Sequence, residues 1–174
     1  MAILDIIVAP DPRLKITAKP VESVDKGVRK LMDDMRETMH SANGIGLAAP
    51  QVGDDRRVIV VDVSTPEEDP DPIPMANPEL LWISDKDWLH EEGCLSLPEH
   101  YAEVERPEAI KVRYLDYEGE IRELKTKGIL AACIQHEMDH LDGILFVDHI
   151  SSLKRNMILR KLVKMKKQAA VKTA

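Results

Sequence analysis

The residues best suited to chemistry are His136-Glu137-Met138-Asp139-His140. A helix turns about 100° per residue, so histidines four apart stand above one another on one face. Their rings would project about 6 Å apart along the axis and can converge on one metal ion. Glu137 follows the first histidine and is placed to serve metal-bound water as a general base. The plain alternative is a solvated helix face that happens to carry two histidines around a glutamate. The motif needs a helix, and the sequence supplies its limits: Gly128 before it and Asp142-Gly143 as its stop.

Two ligands do not define a metal's task, so the third decides. A metal helix of the zinc-protease type usually recruits it downstream. A histidine six residues past the second would fall on Phe146, which cannot bind metal, and no glutamate follows Glu137. Asp142, Asp148 and His149 remain open but lack a matching spacing. The two cysteines lie upstream. Cys133 shares the helix but stands about 10.5 Å along the axis from His140, too far for one ion. Cys94 sits in the turn-forming stretch Gly93-Cys94-Leu95-Ser96-Leu97-Pro98, where its sulfur can be aimed. A His₂Cys set leaves a coordination position open, as catalysis requires. The alternative for Cys94 is a small buried hydrophobe.

Other elements must hold these groups. Val28, Leu31, Met32, Met35 and Met39 form an apolar stripe, predicting a core-facing helix from an Asp25 cap to about Ser41. The stretch from Asn43 to Gly53 is rich in glycine and contains Pro50, which predicts a shaped loop without regular structure. It serves either as a close-approach site offering the Gln51 amide or as a tight helix-to-strand connection. Its Gly44-x-Gly46-x-x-Ala49 pattern is not a dinucleotide fingerprint, because a helix precedes it and Pro50 follows. Arg57–Val63 reads as a buried strand, and Ser64–Pro74, with four prolines and four acids, as an exposed loop. Extended segments follow at 75–83 and 86–91, then strands at 101–106 and 109–117. Glu118-Gly119 turns a hairpin into 120–126. Ser151 or Ser152 caps a last helix, with Met157, Ile158, Leu162, Met165 and Ala169 facing the core and its lysines and arginines facing out.

The 174 residues suit a single catalytic domain, 1–174, ending in a basic helix and tail over 151–174. Aromatics are 3%, so Leu, Ile, Val, Met and Ala must fill the core. The net charge of −7 argues against a general binder of DNA. From Ser151 onward there are eight basic residues and no acid, leaving 16 basic against 31 acidic residues elsewhere. That tail is either a solvated helix face or a contact to a polyanion. Two cysteines, no signal-like N-terminus and no membrane-length apolar run predict a cytoplasmic protein that is not membrane-bound.

Three stretches, Gly44-Ile45-Gly46-Leu47-Ala48-Ala49-Pro50-Gln51, Glu92-Gly93-Cys94-Leu95-Ser96 and Gln135-His136-Glu137-Met138-Asp139-His140, together resemble the motifs of the bacterial peptide deformylases. The resemblance spans about Ile3 to Leu162. It implies an α+β fold with mixed or antiparallel β-structure around the metal helix and a C-terminal helix. It implies removal of the formyl group from N-formyl-methionyl nascent peptides, with metal-bound water as nucleophile and Glu137 as general acid/base. Cys94, His136 and His140 match the family's metal ligands. Gln51 and the backbone N–H of Leu95 match its oxyanion donors. Gly46 falls where backbone pairs with substrate, and Ile45 and Cys133 where the methionine side chain is lined. The resemblance favours Fe²⁺, with Zn²⁺, Ni²⁺ or Co²⁺ as substitutes, and it supports a ribosome contact through the basic C-terminal helix. Where some members place an arginine near the substrate's end, this chain has Tyr101. The rival readings are an ordinary zinc endopeptidase, against which the missing downstream ligand argues, and a metal-holding protein without catalysis, which would need a fourth ligand.

Overall fold

A computed structural model describes residues 2–173. Met1 and Ala174 lie outside the described residues, as does the side chain of Lys172 counted in the basic tail. The first helix, α1 (Lys26–Ser41), begins where Asp25 accepts the Val28 N–H at 2.9 Å. Its methionine stripe is buried, as the spacing predicts. Seven strands follow: β1 (Gly46–Ala48), β2 (Val58–Val61), β3 (Ile73–Ile83), β4 (Asp87–Cys94), β5 (Leu97–Pro107), β6 (Ala109–Leu115) and β7 (Ile121–Lys127). Then come α2 (Ile129–Leu141), which carries the two histidines, and α3 (Ser152–Thr173).

Five strands make one antiparallel sheet in the order β1-β2-β3-β6-β7, while β4 and β5 form a separate hairpin. The fold is α+β, with α2 at its centre. Strand β2 explains the layering. Side chains alternate across a strand, so Ile59 and Val61 meet Ala131, Ile134 and Leu141 of α2 on one face of the sheet. Val58 and Val60 meet Met32, Met35 and Met39 of α1 on the other. A strand covered on both faces reads as an unbroken apolar run, which is why Val58–Val61 was legible. A third core joins the hairpin to the chain's two ends: Leu97 and Val104 pack with Ile7, Leu14, Phe146 and Leu162.

Several expectations need correction. The stretch from Asn43 to Gly53 is not wholly irregular: Gly46, Leu47 and Ala48 form β1, paired with Val61, Val60 and Ile59, and Ala49–Val52 is a 3-10 turn. Pairing with β2 and full burial of Leu47 and Ala48 outweigh weak local propensity. The loop after Ser64 ends earlier than expected, since Ile73 and Pro74 already belong to β3. Pro74 pairs with Val60 on the β2 side, whereas pairing to β6 starts only at Ala76, so no ladder bond to β6 is lost there. On α3, Leu162 is fully buried and Ile158 and Met165 pack inward, but Met157 and Ala169 are exposed and Leu159 packs inward instead. The basic residues do not all face out: Arg155 bonds Asp148 at 2.8 Å and Lys166 Nζ donates to the Val8 carbonyl.

Candidate active site

Helix α2 ends as its sequence requires. Gly143 takes φ +75°, in the left-handed region, and its N–H reaches the His140 carbonyl at 3.2 Å. A Cβ there would strike the Lys15 carbonyl oxygen at 2.6 Å, so glycine is needed for close approach as well as for conformation. The helix thus stops one residue after His140, and the ring centroids of His136 and His140 lie 5.0 Å apart.

Cys94, at the end of β4, comes to meet them. Among the described residues, Cys94, His136 and His140 are the one cluster of three or more His, Cys, Asp or Glu that could hold a metal ion, with ligand atoms all within 4.8 Å of one another. Cys94 Sγ is 3.3 Å from His140 Nε2. A sulfur about 2.3 Å and a nitrogen about 2.0 Å from one tetrahedral ion stand roughly 3.5 Å apart, so the donor set fits a metal. Phe146 stacks near the His136 ring at 6.2 Å. Cys133 lies outside this cluster; its Sγ donates to the Ile45 carbonyl at 3.3 Å.

Glu137 is buried, with Oε1 3.7 Å from His136 Nε2 and 3.9 Å from His140 Nε2. Its Oε2 is buried without a hydrogen-bond partner, as is His140 Nδ1. Burial raises the Glu137 carboxyl to about 7, against the opposing charge at His136. A cation among the neighbouring donors would draw it back down. Burial also works against charge on both histidines. At His136 the neighbouring Glu137, Cys94 and Glu92 outweigh it and raise the pKa; at His140 burial and the charge at His136 together lower it.

Gly46 presses against this glutamate. A Cβ on it would sit 2.8 Å from Glu137 Oε2 and 2.9 Å from Cys133 Sγ. Gln51 is buried in the 3-10 turn after β1. Its Oε1 accepts the Ala48 N–H at 2.9 Å, while its Nε2 reaches Ser96 Oγ at 3.0 Å and Cys94 Sγ at 3.5 Å. Gly46, Gln51, Leu95, Cys133, His136 and Glu137 line one cavity of about 440 Å³, and Ile45, 45% exposed, stands at its rim. Tyr101 also lines it, with its ring laid over Gly93 and 65% of its surface exposed.

The structure adds residues that the sequence reading left without a role. Glu92 Oε1 meets His136 Nδ1 at 2.8 Å, so the ring is held by a carboxylate on the nitrogen away from Nε2. Arg106, buried, donates to Glu92 at 2.5 and 2.9 Å and to Asp139 at 2.9 Å. Burial would raise the Glu92 carboxyl, but Arg106 and His136 outweigh it and hold it well below the usual carboxylate range. One signal could have found Glu92: it lies two residues before Cys94, and alternation puts both on one face of the strand.

A mixed α+β fold with a buried glutamate beside a Cys-His-His set in a cavity defines a metal-dependent hydrolase class. Residues 3–156 match the family model for polypeptide deformylase. A peptide deformylase from Methylocella silvestris is 56% identical over 167 residues, covering 94% of this chain and 85% of its own. The crystal structure of peptide deformylase from Ehrlichia chaffeensis superimposes with a TM-score of 0.92 at 40% identity, covering 97% of this chain and 99% of that one. A second structure from that organism, in complex with actinonin, gives 0.91 at 42% identity, covering 95% and 98%. The chain belongs to the polypeptide deformylase family, metalloenzymes that remove the formyl group from the N-formyl-methionine of nascent peptides.

Proposed function

We propose that Cys94, His136 and His140 hold a divalent metal and that Glu137, Gln51 and Leu95 carry out deformylation beside it, within one catalytic domain. The observation that carries this reading is the convergence of three ligand atoms within 4.8 Å beside the buried Glu137. When bound, the ion would polarise the formyl carbonyl and lower the pKa of water. Glu137 accepts a proton from the attacking water and passes it to the leaving amine nitrogen, so formate departs and a free α-amine remains. The Gln51 Nε2–H and the Leu95 N–H donate to the formyl oxygen as negative charge grows there; such an aimed donor contributes about 3–4 kcal/mol in comparable sites. Gly46 offers its backbone to the peptide, and Ile45 and Cys133 border the methionine side chain.

The assay is formate release from a formyl-Met peptide, with unblocked peptide and internal bonds as controls. Glu137→Ala should keep its metal and lose about 10²–10⁴-fold in turnover; turnover near wild type would remove Glu137 from this role. Actinonin, bound by the Ehrlichia chaffeensis protein, should compete with substrate here.

Fe²⁺ is the working metal in this reading, with Zn²⁺, Ni²⁺ or Co²⁺ able to replace it, since thiolate and imidazole suit all four. Metal analysis of protein prepared without air decides between them. A cytoplasmic site of action follows from a substrate made there, and no helix among the described residues is long and apolar enough to cross a membrane. Lys154, Arg160, Lys161, Lys164 and Lys167 remain exposed on α3, a basic face that suits ribosomal RNA. Leu162 is buried between them, so deleting the helix would damage the core. Lys161→Glu with Lys164→Glu is the cleaner probe. Ribosome co-sedimentation should fall in the double variant, and unchanged binding would leave the face merely solvated.

A further inference from the structure

His90 and Glu92 stand two residues apart on β4, so both side chains leave the same face of the strand, and both line the cavity. The His90 ring stacks on Trp88, with centroids 4.5 Å apart and planes 15° from parallel. Its Nε2 lies 2.6 Å from Glu92 Oε2, at a side chain only 10% exposed. The other oxygen of the same carboxylate meets His136 Nδ1 at 2.8 Å. Arg106 completes the set with Nε on Oε2 and Nη2 on Oε1. Each oxygen of Glu92 therefore has two partners, which fills a carboxylate's accepting capacity. The two-point Arg106 fork fixes the carboxylate within the guanidinium plane but does not by itself stop the pair from hinging out of it. A partner on each oxygen from a different direction removes that freedom. His136 is one such partner and His90 is the other.

We propose that His90 is a positioning residue for the metal centre: by donating from Nε2 it fixes the Glu92 carboxylate that aims His136. Because the same imidazole forms part of the cavity wall, it also links the peptide-binding wall to the ligand set. The inference rests on His136 being a metal ligand, as proposed above.

Two substitutions separate the hydrogen bond from the packing. His90→Phe keeps a flat ring against Trp88 and removes the donor. His90→Gln removes the stack and keeps an N–H that can reach Glu92. In zinc-loaded protein, transfer of metal to an excess of chelator is timed, and kcat and KM are measured on a formyl-Met peptide. Direct partners of metal-bound histidines change affinity about 10–100-fold, so a residue one bond further back should change it by about 3–10-fold. His90→Phe is expected to release metal faster by that factor and to lose kcat in proportion, with KM changed by less than about twofold. His90→Gln is expected to match wild type on both. If His90→Phe keeps wild-type metal release and kcat and alters only KM, the imidazole is a wall of the pocket and the inference fails. A loss in His90→Gln alone would assign the effect to the stack, and equal losses in both variants to the imidazole as a whole rather than to its donor; either would overturn it. His136→Ala serves as the control. Unchanged metal retention there would undo the ligand assignment itself, whereas lost metal with a normal His90→Phe would undo only the role of His90.

Discussion

Gly46→Ala is the sharpest probe of how Glu137 is held. Gly46 has no left-handed backbone, so alanine meets no conformational strain there and the effect is steric. The new methyl would lie 2.9 Å from Glu137 Cδ and 2.9 Å from Cys133 Sγ. Carbon atoms favour about 3.5–4.0 Å, so one side must retreat by roughly 0.6 Å. Strand β1 cannot easily give way, because Leu47 and Ala48 are fully buried and paired to β2. The Glu137 carboxylate moves instead. A 1 Å misplacement of a reacting group costs about 10²-fold, so a shift near 0.6 Å should cost about 10-fold in kcat. Overpacking should also destabilise the protein by about 1–3 kcal/mol. The His136 and His140 rings do not touch the new methyl among the nearest atoms, so bound metal should persist. Adding Cys133→Ala removes the sulfur clash but not the one with Glu137. The double variant should regain stability while kcat stays low. The measurements are kcat for formate release, metal content and a urea midpoint on both variants. A wild-type kcat in Gly46→Ala, or recovery of kcat together with stability in the double variant, would refute the idea that Gly46 sets the position of Glu137.

Cys94→Ser replaces a soft thiolate by a hydroxyl and should lower or change bound metal by elemental analysis; unaltered metal content would place Cys94 outside the ligand set. Stability should also carry an acid limb from Asp62. Burial raises that carboxyl, but the Ser64 hydroxyl, His40 and two backbone N–H groups outweigh it and lower the net value. A depressed carboxyl contributes stability above its unfolded pKa of about 3.9, and that contribution is lost as pH falls through the lower folded value. Urea midpoints followed downward from pH 5 should therefore fall less steeply in Asp62→Asn than in wild type, and parallel curves would exclude Asp62 as a source of the limb.

How much was legible differs by range of interaction. The spacing of His136 and His140, the methionine stripe of α1 and the apolar run of β2 are periodic signals within single elements, and local geometry reads them directly. Cys94 was the candidate favoured once the usual downstream positions failed, and the three motifs pointed to the family. Its partners were harder to see. Glu92 and Arg106 meet across β4 and β5 in a hairpin whose register breaks between Gly93, paired with Tyr101, and Cys94, paired with Leu97. Asp139, in the midst of the histidine motif, turned out to anchor Arg106 and His149.

The sequence by itself determined that one helix would present two histidines and a glutamate along neighbouring faces, because helical periodicity is fixed by the backbone. It also determined that an acidic body would carry a basic last helix. Only the tertiary structure decided that Gly46 abuts Glu137 and that Glu92 backs His136. It likewise decided that Lys166 turns inward to Val8, leaving fewer cations on the α3 surface. Those contacts join elements far apart in the chain, and their distances depend on strand pairing and layer packing that no local spacing encodes.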